Sequence, residues 1–179
     1  YAEEAVRLRT SLDRFHLEHW IESMADTGRW VMNCAQKPTF LLKMLHRYPG
    51  RPVVWIDADA EVKQDPEIFS VLRWPDIGVC RYAWKKARKT EVLSGTIWLK
   101  NNDLSHEIVE AWAKAQSEDL EGWDQFSLDK TLQRLRHVLV WWMPVEFCFI
   151  HDFHRQENPD LAPIIVHYQK SREARGNKP

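Results

Sequence analysis

The chain has 179 residues, of which 44% are hydrophobic and 28% are charged, and its formal net charge is −1. This composition is that of a globular protein with one domain and a sizeable core, and it excludes a protein that attracts polyanions through overall charge alone. No apolar run approaches the length of a membrane span and no signal-peptide pattern is present, so we expect a cytoplasmic protein.

The three cysteines, Cys34, Cys80 and Cys148, are widely spaced in apolar surroundings. An odd number at these spacings fits neither a disulfide framework nor a zinc site, so we predict buried free thiols in a reducing compartment. The chain also has ten tryptophans. We expect many of them to lie in the core or to line a pocket, because indole rings bury a large apolar surface and can stack on other rings or on the faces of sugars.

Helical and strand patterns alternate along the first part of the chain. Apolar residues at helical spacing predict an amphipathic helix over residues 2–16. Residues 18–23 are a plausible short strand, and residues 33–37 then lead into a helix with Pro38 near its first turn. A short β-branched and aromatic run, Val53–Ile56, predicts a buried strand of a parallel sheet.

The same alternation continues to the C-terminus. The patterns predict helices that begin at Asp65-Pro66, near Leu104 and at Asp124, strands over 77–82, 92–99, 137–143 and 164–166, and loops over 83–91 and 151–160. Strands that alternate with helices favour one α/β domain with a mixed, mostly parallel sheet flanked by helices. We find no repeat or internal linker, so residues 1–179 are predicted to form this single domain.

Two carboxylates follow the predicted Val53–Ile56 strand directly. Asp57 and Asp59 are two residues apart, so in an extended chain their side chains point the same way. Unpaired carboxylates at the end of a buried strand repel each other and are costly to desolvate. A hard divalent cation bound between them removes both costs and can also hold a diphosphate. Ligands in open α/β sheets lie at the carboxyl ends of strands. We therefore predict a metal–diphosphate site here, and the alternative is a pair of ordinary turn residues.

Five segments together resemble the small nucleotide-diphospho-sugar transferases that have the GT-A glycosyltransferase fold. In order, they are residues 33–38, 54–59, 93–96, 123–125 and 166–172. The resemblance covers nearly the whole chain and implies a GT-A-like, Rossmann-like fold. It also implies an enzyme that moves a sugar from a nucleotide-diphosphate donor to an acceptor hydroxyl. In that family a first strand precedes the first helix, so we expect that this strand is missing before Tyr1.

The resemblance implies a metal-binding role for three residues. Asp59 would ligate Mn²⁺ or Mg²⁺, and Asp57 would contact the ribose, or the metal through water. His167 ends a predicted strand and matches the late metal-binding histidine of the family. A neutral imidazole is an acceptable ligand for Mn²⁺, and the alternative is an ordinary core or surface histidine.

Further residues are implied to bind the nucleotide sugar, namely Asn33, Lys37, Asp57, Ser94, Gly95, Lys170 and Arg172. Lys37 precedes the predicted helix start, and its positive charge would add to the preference of a helix N-terminus for an anion such as a phosphate. Asn33 could bind the nucleotide or the sugar, or it could equally stabilise a turn. Lys170 and Arg172 could hold phosphate oxygens or belong to a solvated basic tail.

Asp124 matches the acidic residue that family members place near the sugar or the incoming hydroxyl. It would be the general base of an inverting enzyme, or would orient the donor in a retaining one. The alternative is a plain N-cap of the following helix. Trp84 and Trp123 are the tryptophans that best suit stacking on a sugar or a base.

The segment Arg81–Lys89 interleaves basic and aromatic residues, a pattern that suits phosphate contacts and base stacking. Small bacteriophage members of the family suggest a hydroxymethylated base in DNA as the acceptor, and a glycan or a protein is the alternative acceptor. The segment itself could instead be a solvated loop with no binding role. Two other functions are a sugar-nucleotide nucleotidyltransferase and a non-catalytic module that binds sugar nucleotides or glycans.

Overall fold

A computed structural model describes residues 1–84, 89–119 and 121–170. Its helices in these ranges are α1 (Ala2–Arg14), α2 (Trp30–Arg47), α3 (Ile68–Val71), α4 (Asp103–Glu118), α5 (Asp124–Arg134) and α6 (His151–Glu157). Its strands are β1 (Val53–Ile56), β2 (Ala60–Val62), β3 (Ile77–Trp84), β4 (Lys89–Leu99), β5 (Val140–Met143), β6 (Phe149–Ile150) and β7 (Ile165–His167), with a 3₁₀ helix, Val145–Cys148, before β6. No helix in these ranges is long and apolar enough to cross a membrane.

The strands form two small sheets, in the orders β1-β4-β3-β5 and β2-β7-β6. The β3–β5 and β6–β7 pairs are parallel, whereas β1–β4, β3–β4 and β2–β7 are antiparallel. The predicted mixed sheet flanked by helices is confirmed, but parallel pairings are the minority among the described strands. The long strand β4 accounts for the difference, because it returns beside β3 and runs against both of its neighbours.

Strand β1 is an edge strand with four partly buried residues, so the prediction of a buried strand in a parallel sheet is wrong. Its apolar run reflects packing on both faces. Val53 and Trp55 pack on the core formed with α2, α4 and α5. Val54 and Ile56 pack on a second core, which includes α1, β2 and β7. A strand between two cores is apolar at every position whichever way its neighbour runs.

Helix α2 begins at Trp30, so the predicted start near Pro38 is wrong. Pro38 lies inside the helix, where it removes one backbone hydrogen bond. Burial of Leu41, Met44 and Leu45 on one face of α2 offsets this loss, since packing of an amphipathic face supplies most helix stability in proteins.

Three other segments depart from the prediction. Residues 18–23 form no regular element, and their glutamates instead pair with basic side chains on the surface. Residues 151–157 form α6 rather than a loop, because His154, in the middle of this helix, is fully buried. Strands β3 and β4 extend into the predicted loop through pairs such as Tyr82 with Glu91, and residues 85–88 lie outside the described ranges. The three cysteines form no disulfide, and Cys80 and Cys148 are buried as predicted, whereas Cys34 is only partly buried.

Candidate functional site

The predicted metal ligands lie together where the two sheets meet. Asp57 and Asp59 belong to the turn between β1 and β2, and His167 pairs with Ala60 at the end of β7. One ligand atom from each of the three side chains lies within 4.8 Å of the other two. His167 Nδ1 and Asp59 Oδ1 are 4.0 Å apart, which is too far for a hydrogen bond. Two ligands that each lie about 2.0–2.2 Å from one ion can have this separation, so the arrangement suits a divalent cation.

Neighbouring groups fix the orientation of each candidate ligand. The Nε2 of His167 lies 2.9 Å from Thr96 Oγ1, which leaves Nδ1 towards Asp59. The backbone N–H of Lys170 donates to Asp59 Oδ2 at 2.9 Å, and Trp55 Nε1 donates to Asp57 Oδ1 at 2.6 Å. Hydrogen bonds of this kind orient metal ligands in known sites, so the cluster has the support that a metal centre requires.

Gly95 packs directly against the imidazole of His167. A Cβ at this position would lie 2.9 Å from His167 Cε1 and 3.2 Å from Cys148 Sγ. Both neighbours are buried and have little room to move. The register of β3 and β4 shifts between Val79 and Cys80, so residues 94–96 have no partner on β3, and the Gly95 carbonyl accepts from the Asp57 N–H at 2.9 Å. Such bulges are common beside functional sites.

Burial sets the ionisation of two candidate ligands. Burial, and then the charge of Asp57, raises the pKa of Asp59 to about 6. Burial lowers the pKa of His167 to about 4. At neutral pH the carboxylate is therefore ionised and the imidazole is neutral, and these are the forms that bind a metal.

Lys37 is the centre of a second, adjoining cluster. Its Nζ lies 3.1 Å from Asp57 Oδ1, 2.8 Å from Asp124 Oδ2 and 3.0 Å from the Ser94 carbonyl oxygen. Burial lowers the pKa of Lys37, but the charges of Asp124 and Asp57 raise it by more, so the net shift is upward and the ammonium stays charged. The prediction that Lys37 lies at a helix N-terminus is wrong, because this residue is in the middle of α2.

Asp124 is buried at the start of α5 and faces Lys37. Its Oδ2 accepts from Ser94 Oγ at 2.7 Å, and Trp112 Nε1 donates to its backbone oxygen at 2.9 Å. The N-cap of α5 is Trp123, and the carboxylate of Asp124 is engaged by Lys37 and Ser94. The alternative of a plain N-cap is therefore wrong.

The remaining predicted donor-binding residues have less direct positions. Asn33 accepts from Thr27 and donates to Asp26 at 2.8 Å, so its side chain holds the turn before α2. Lys170 contributes its backbone N–H to Asp59, and its Nζ lies 3.7 Å from Glu4 Oε1. Arg172 lies outside the described residues.

Sequence reasoning missed the positions of Arg7, in α1, and of Tyr1, which directly precedes α1. Arg7 Nη2 donates to the Asp59 carbonyl oxygen at 3.3 Å, and its guanidinium lies 4.4 Å from the centroid of the Tyr168 ring. Burial, and then the charge of Asp59, raises the pKa of the Tyr1 phenol to about 12. The helical pattern showed only which face of α1 is apolar, and it gave no signal that the N-terminus of α1 approaches the acids.

Both clusters line a cleft of about 2580 Å³. Trp84 and Trp123, the predicted stacking residues, also line it.

The described cations of the predicted basic segment are paired: Arg81 with Asp129 at 3.1 Å, and Lys89 with Glu91 at 2.8 Å.

No protein-family model and no curated protein matches the chain. Solved structures do match. A glycosyltransferase involved in glycosylation of the major capsid of PBCV-1 is 14% identical and superposes with a TM-score of 0.69, over 96% of this chain and 90% of that one. The apo form of the glycosyltransferase GlyE of Streptococcus pneumoniae TIGR4 is 15% identical, with a TM-score of 0.52 over 73% of this chain and 36% of that one. At these identities the likeness establishes the fold, and the predicted glycosyltransferase fold is confirmed.

Proposed function

We propose that the protein is a metal-dependent glycosyltransferase that moves a sugar from a nucleotide-diphosphate donor to an acceptor hydroxyl. The observation that carries this proposal is the cluster of Asp57, Asp59 and His167 in the cleft of a chain with a glycosyltransferase fold. A fold alone does not specify a reaction, whereas the chemistry of the cluster favours this one.

Asp59 and His167 are the proposed direct ligands of Mn²⁺ or Mg²⁺, and Asp57 is the proposed third ligand or a contact of the ribose. The mixed carboxylate and imidazole set suits Mn²⁺. When bound, the cation would neutralise the diphosphate as the glycosidic bond breaks. Lys170 presents its N–H to Asp59, and we propose that its side chain binds phosphate oxygens. Arg172 is proposed for the same role from the sequence resemblance alone.

The cluster around Lys37 is the proposed binding site for the donor sugar. Lys37 holds Asp57 and Asp124 at fixed positions, and Ser94 and Gly95 form the wall between them. Asp124 would either accept the proton of the incoming hydroxyl or orient the donor sugar. These two roles predict opposite anomeric configurations of the product, which NMR of the transferred sugar distinguishes.

Thermal unfolding with a panel of nucleoside diphosphates, each with and without Mn²⁺, tests the proposal. A ligand at about a hundred times its Kd stabilises the fold by about 2.7 kcal/mol. We expect such a shift with one diphosphate, only when Mn²⁺ is present, and none in an Asp59→Asn protein. Absence of a shift with every diphosphate would contradict the proposal.

Two turnover assays separate this activity from the other functions. Slow hydrolysis of a sugar nucleotide by the protein excludes a module that only binds its ligand. Release of pyrophosphate from a nucleoside triphosphate would instead identify a nucleotidyltransferase. These assays do not identify the acceptor, for which the bacteriophage members of the family suggest a hydroxymethylated DNA base.

A further inference from the structure

A corner of aromatic side chains lies at the end of the β3–β4 hairpin. We propose that this aromatic corner, formed by Trp84 and Phe153 over Tyr82 and His154, binds a sugar ring of the acceptor, so that the acceptor is a glycan. The proposal rests on the proposed glycosyl transfer and names the substrate class of that site.

The geometry of the rings suits a sugar. The centroids of Trp84 and Phe153 are 5.7 Å apart and the ring planes meet at 86°, so one ring offers its face and the other its edge. Both residues line the cleft, and Phe153 is 39% exposed. Aromatic faces bury apolar surface, which matches the C–H face of a sugar.

The aromatic corner is continuous with the candidate metal cluster. Glu91 lies opposite Tyr82 in the hairpin register, so the two share a face of the sheet. Glu91, Leu93 and Gly95 all line the cleft, and Gly95 touches His167. A glycan held at the corner would therefore extend along β4 towards the proposed donor site.

Two buried N–H groups of the aromatic corner lack an acceptor among the described residues. They are Trp84 Nε1 and His154 Nε2, on rings whose centroids are 5.4 Å apart. His154 Nδ1 accepts from the Ile150 N–H at 2.9 Å, so the proton of the neutral ring is on Nε2. Buried donors without partners are rare in folded proteins. Neither atom is accessible to solvent, so a sugar in the cleft would contact the faces of Trp84 and Phe153 and not these two groups.

Two carboxylates lie beside the aromatic corner, and the described cations of the β3–β4 hairpin, Arg81 and Lys89, are paired. Glu91 lines the cleft and pairs with Lys89 at 2.8 Å, and Glu157 accepts from the Tyr82 hydroxyl at 2.6 Å. Arg81 is held by Asp129. A nucleic-acid backbone would meet these carboxylates, whereas sugar hydroxyls can donate to them.

Saturation-transfer NMR with a panel of methyl glycosides, beside a duplex that carries 5-hydroxymethylcytosine, tests the proposal. We expect the protein to bind at least one glycoside, and Trp84→Leu and Phe153→Ala each to weaken that binding at least about tenfold. Phe153 is exposed, so its truncation should leave the fold intact. Trp74→Leu is the matched control, since Trp74 is 53% exposed and is not among the residues that line the cleft.

Three outcomes would overturn the aromatic corner as acceptor site. They are the absence of glycoside binding by a protein that binds a nucleoside diphosphate with Mn²⁺, unchanged glycoside binding in both variants, and binding of the duplex without any glycoside. Glycoside binding that depends on Trp84, in a protein that binds no nucleotide, would uphold the sugar subsite and refute the glycosyltransferase proposal instead.

Discussion

Replacing Lys37 with methionine removes the positive charge between Asp57 and Asp124. The Asp124 side chain is only 7% exposed, so its carboxylate would be left buried with a single hydroxyl donor from Ser94. Breaking a buried ion pair in this way costs about 3–5 kcal/mol of unfolding free energy. Asp57 adds less, because its side chain is 35% exposed and water screens its charge.

Urea unfolding of three variants measures this cost. Lys37→Met should lower the unfolding free energy by at least about 3 kcal/mol, and the double variant Lys37→Met/Asp124→Asn should recover most of it, because the buried charge is gone. Lys43→Met is the matched control: Lys43 is on the same helix, but its pair with Glu22 is largely exposed, so the loss should be about 0–1 kcal/mol. If Lys37→Met costs no more than the control, or the double variant is no more stable than the single one, the buried cluster does not have the energetics argued here.

Three further predictions follow from particular contacts. Gly95→Ala should displace the His167 ring, since the new Cβ would lie 2.9 Å from it. It should abolish the Mn²⁺-dependent stabilisation by a nucleoside diphosphate in thermal unfolding while the protein stays folded by circular dichroism. Burial lowers the pKa of His154 from 6.5 to about 4, so the unfolded state binds the proton first and stability should fall as pH drops through this window. Urea titrations should show a loss up to about 3 kcal/mol greater in the wild type than in His154→Gln, and equal losses would contradict the prediction. Titration with a disulfide reagent should modify Cys34 in the folded protein and the two buried cysteines only after unfolding.

The parts of the site that follow from local sequence could be predicted. An apolar run that ends in Asp57-Ala58-Asp59 indicates both the strand and the acids, because burial and alternation are properties of neighbouring residues. His167 was found through its place at the end of a short strand and the resemblance of the segment around it.

The contacts of Lys37 could not be predicted, because they join residues that are distant in sequence. Pro38 favoured a helix start beside it, and the packing of Leu41 and Leu45 that overrides this signal is tertiary. Ser94, a hydrogen-bond partner of Lys37, is 57 residues away along the chain. A periodic pattern contains no information about such a contact.

The polar parts of the chain were predicted least well. Residues 151–157 looked like a loop because they are mostly hydrophilic, yet one buried histidine and the aromatic rings around it fix them as α6. The ends of β3 and β4 were assigned to a loop for the same reason. A two-stranded hairpin can carry polar residues at every exposed position, since its backbone pairing does not depend on them.

The charges of the two clusters explain why they adjoin. Asp57, Asp59 and Asp124 supply three carboxylates, and Lys37 supplies one ammonium that contacts Asp57 and Asp124. Two negative charges remain within this group, and a divalent cation neutralises that number. Lys37 therefore compensates Asp124 on the proposed sugar side and Asp57 of the proposed metal cluster, while Asp59 and His167 stay available on the proposed diphosphate side. In the proposed reaction, Lys37 therefore joins the group that would position the sugar to the group that would neutralise the leaving diphosphate.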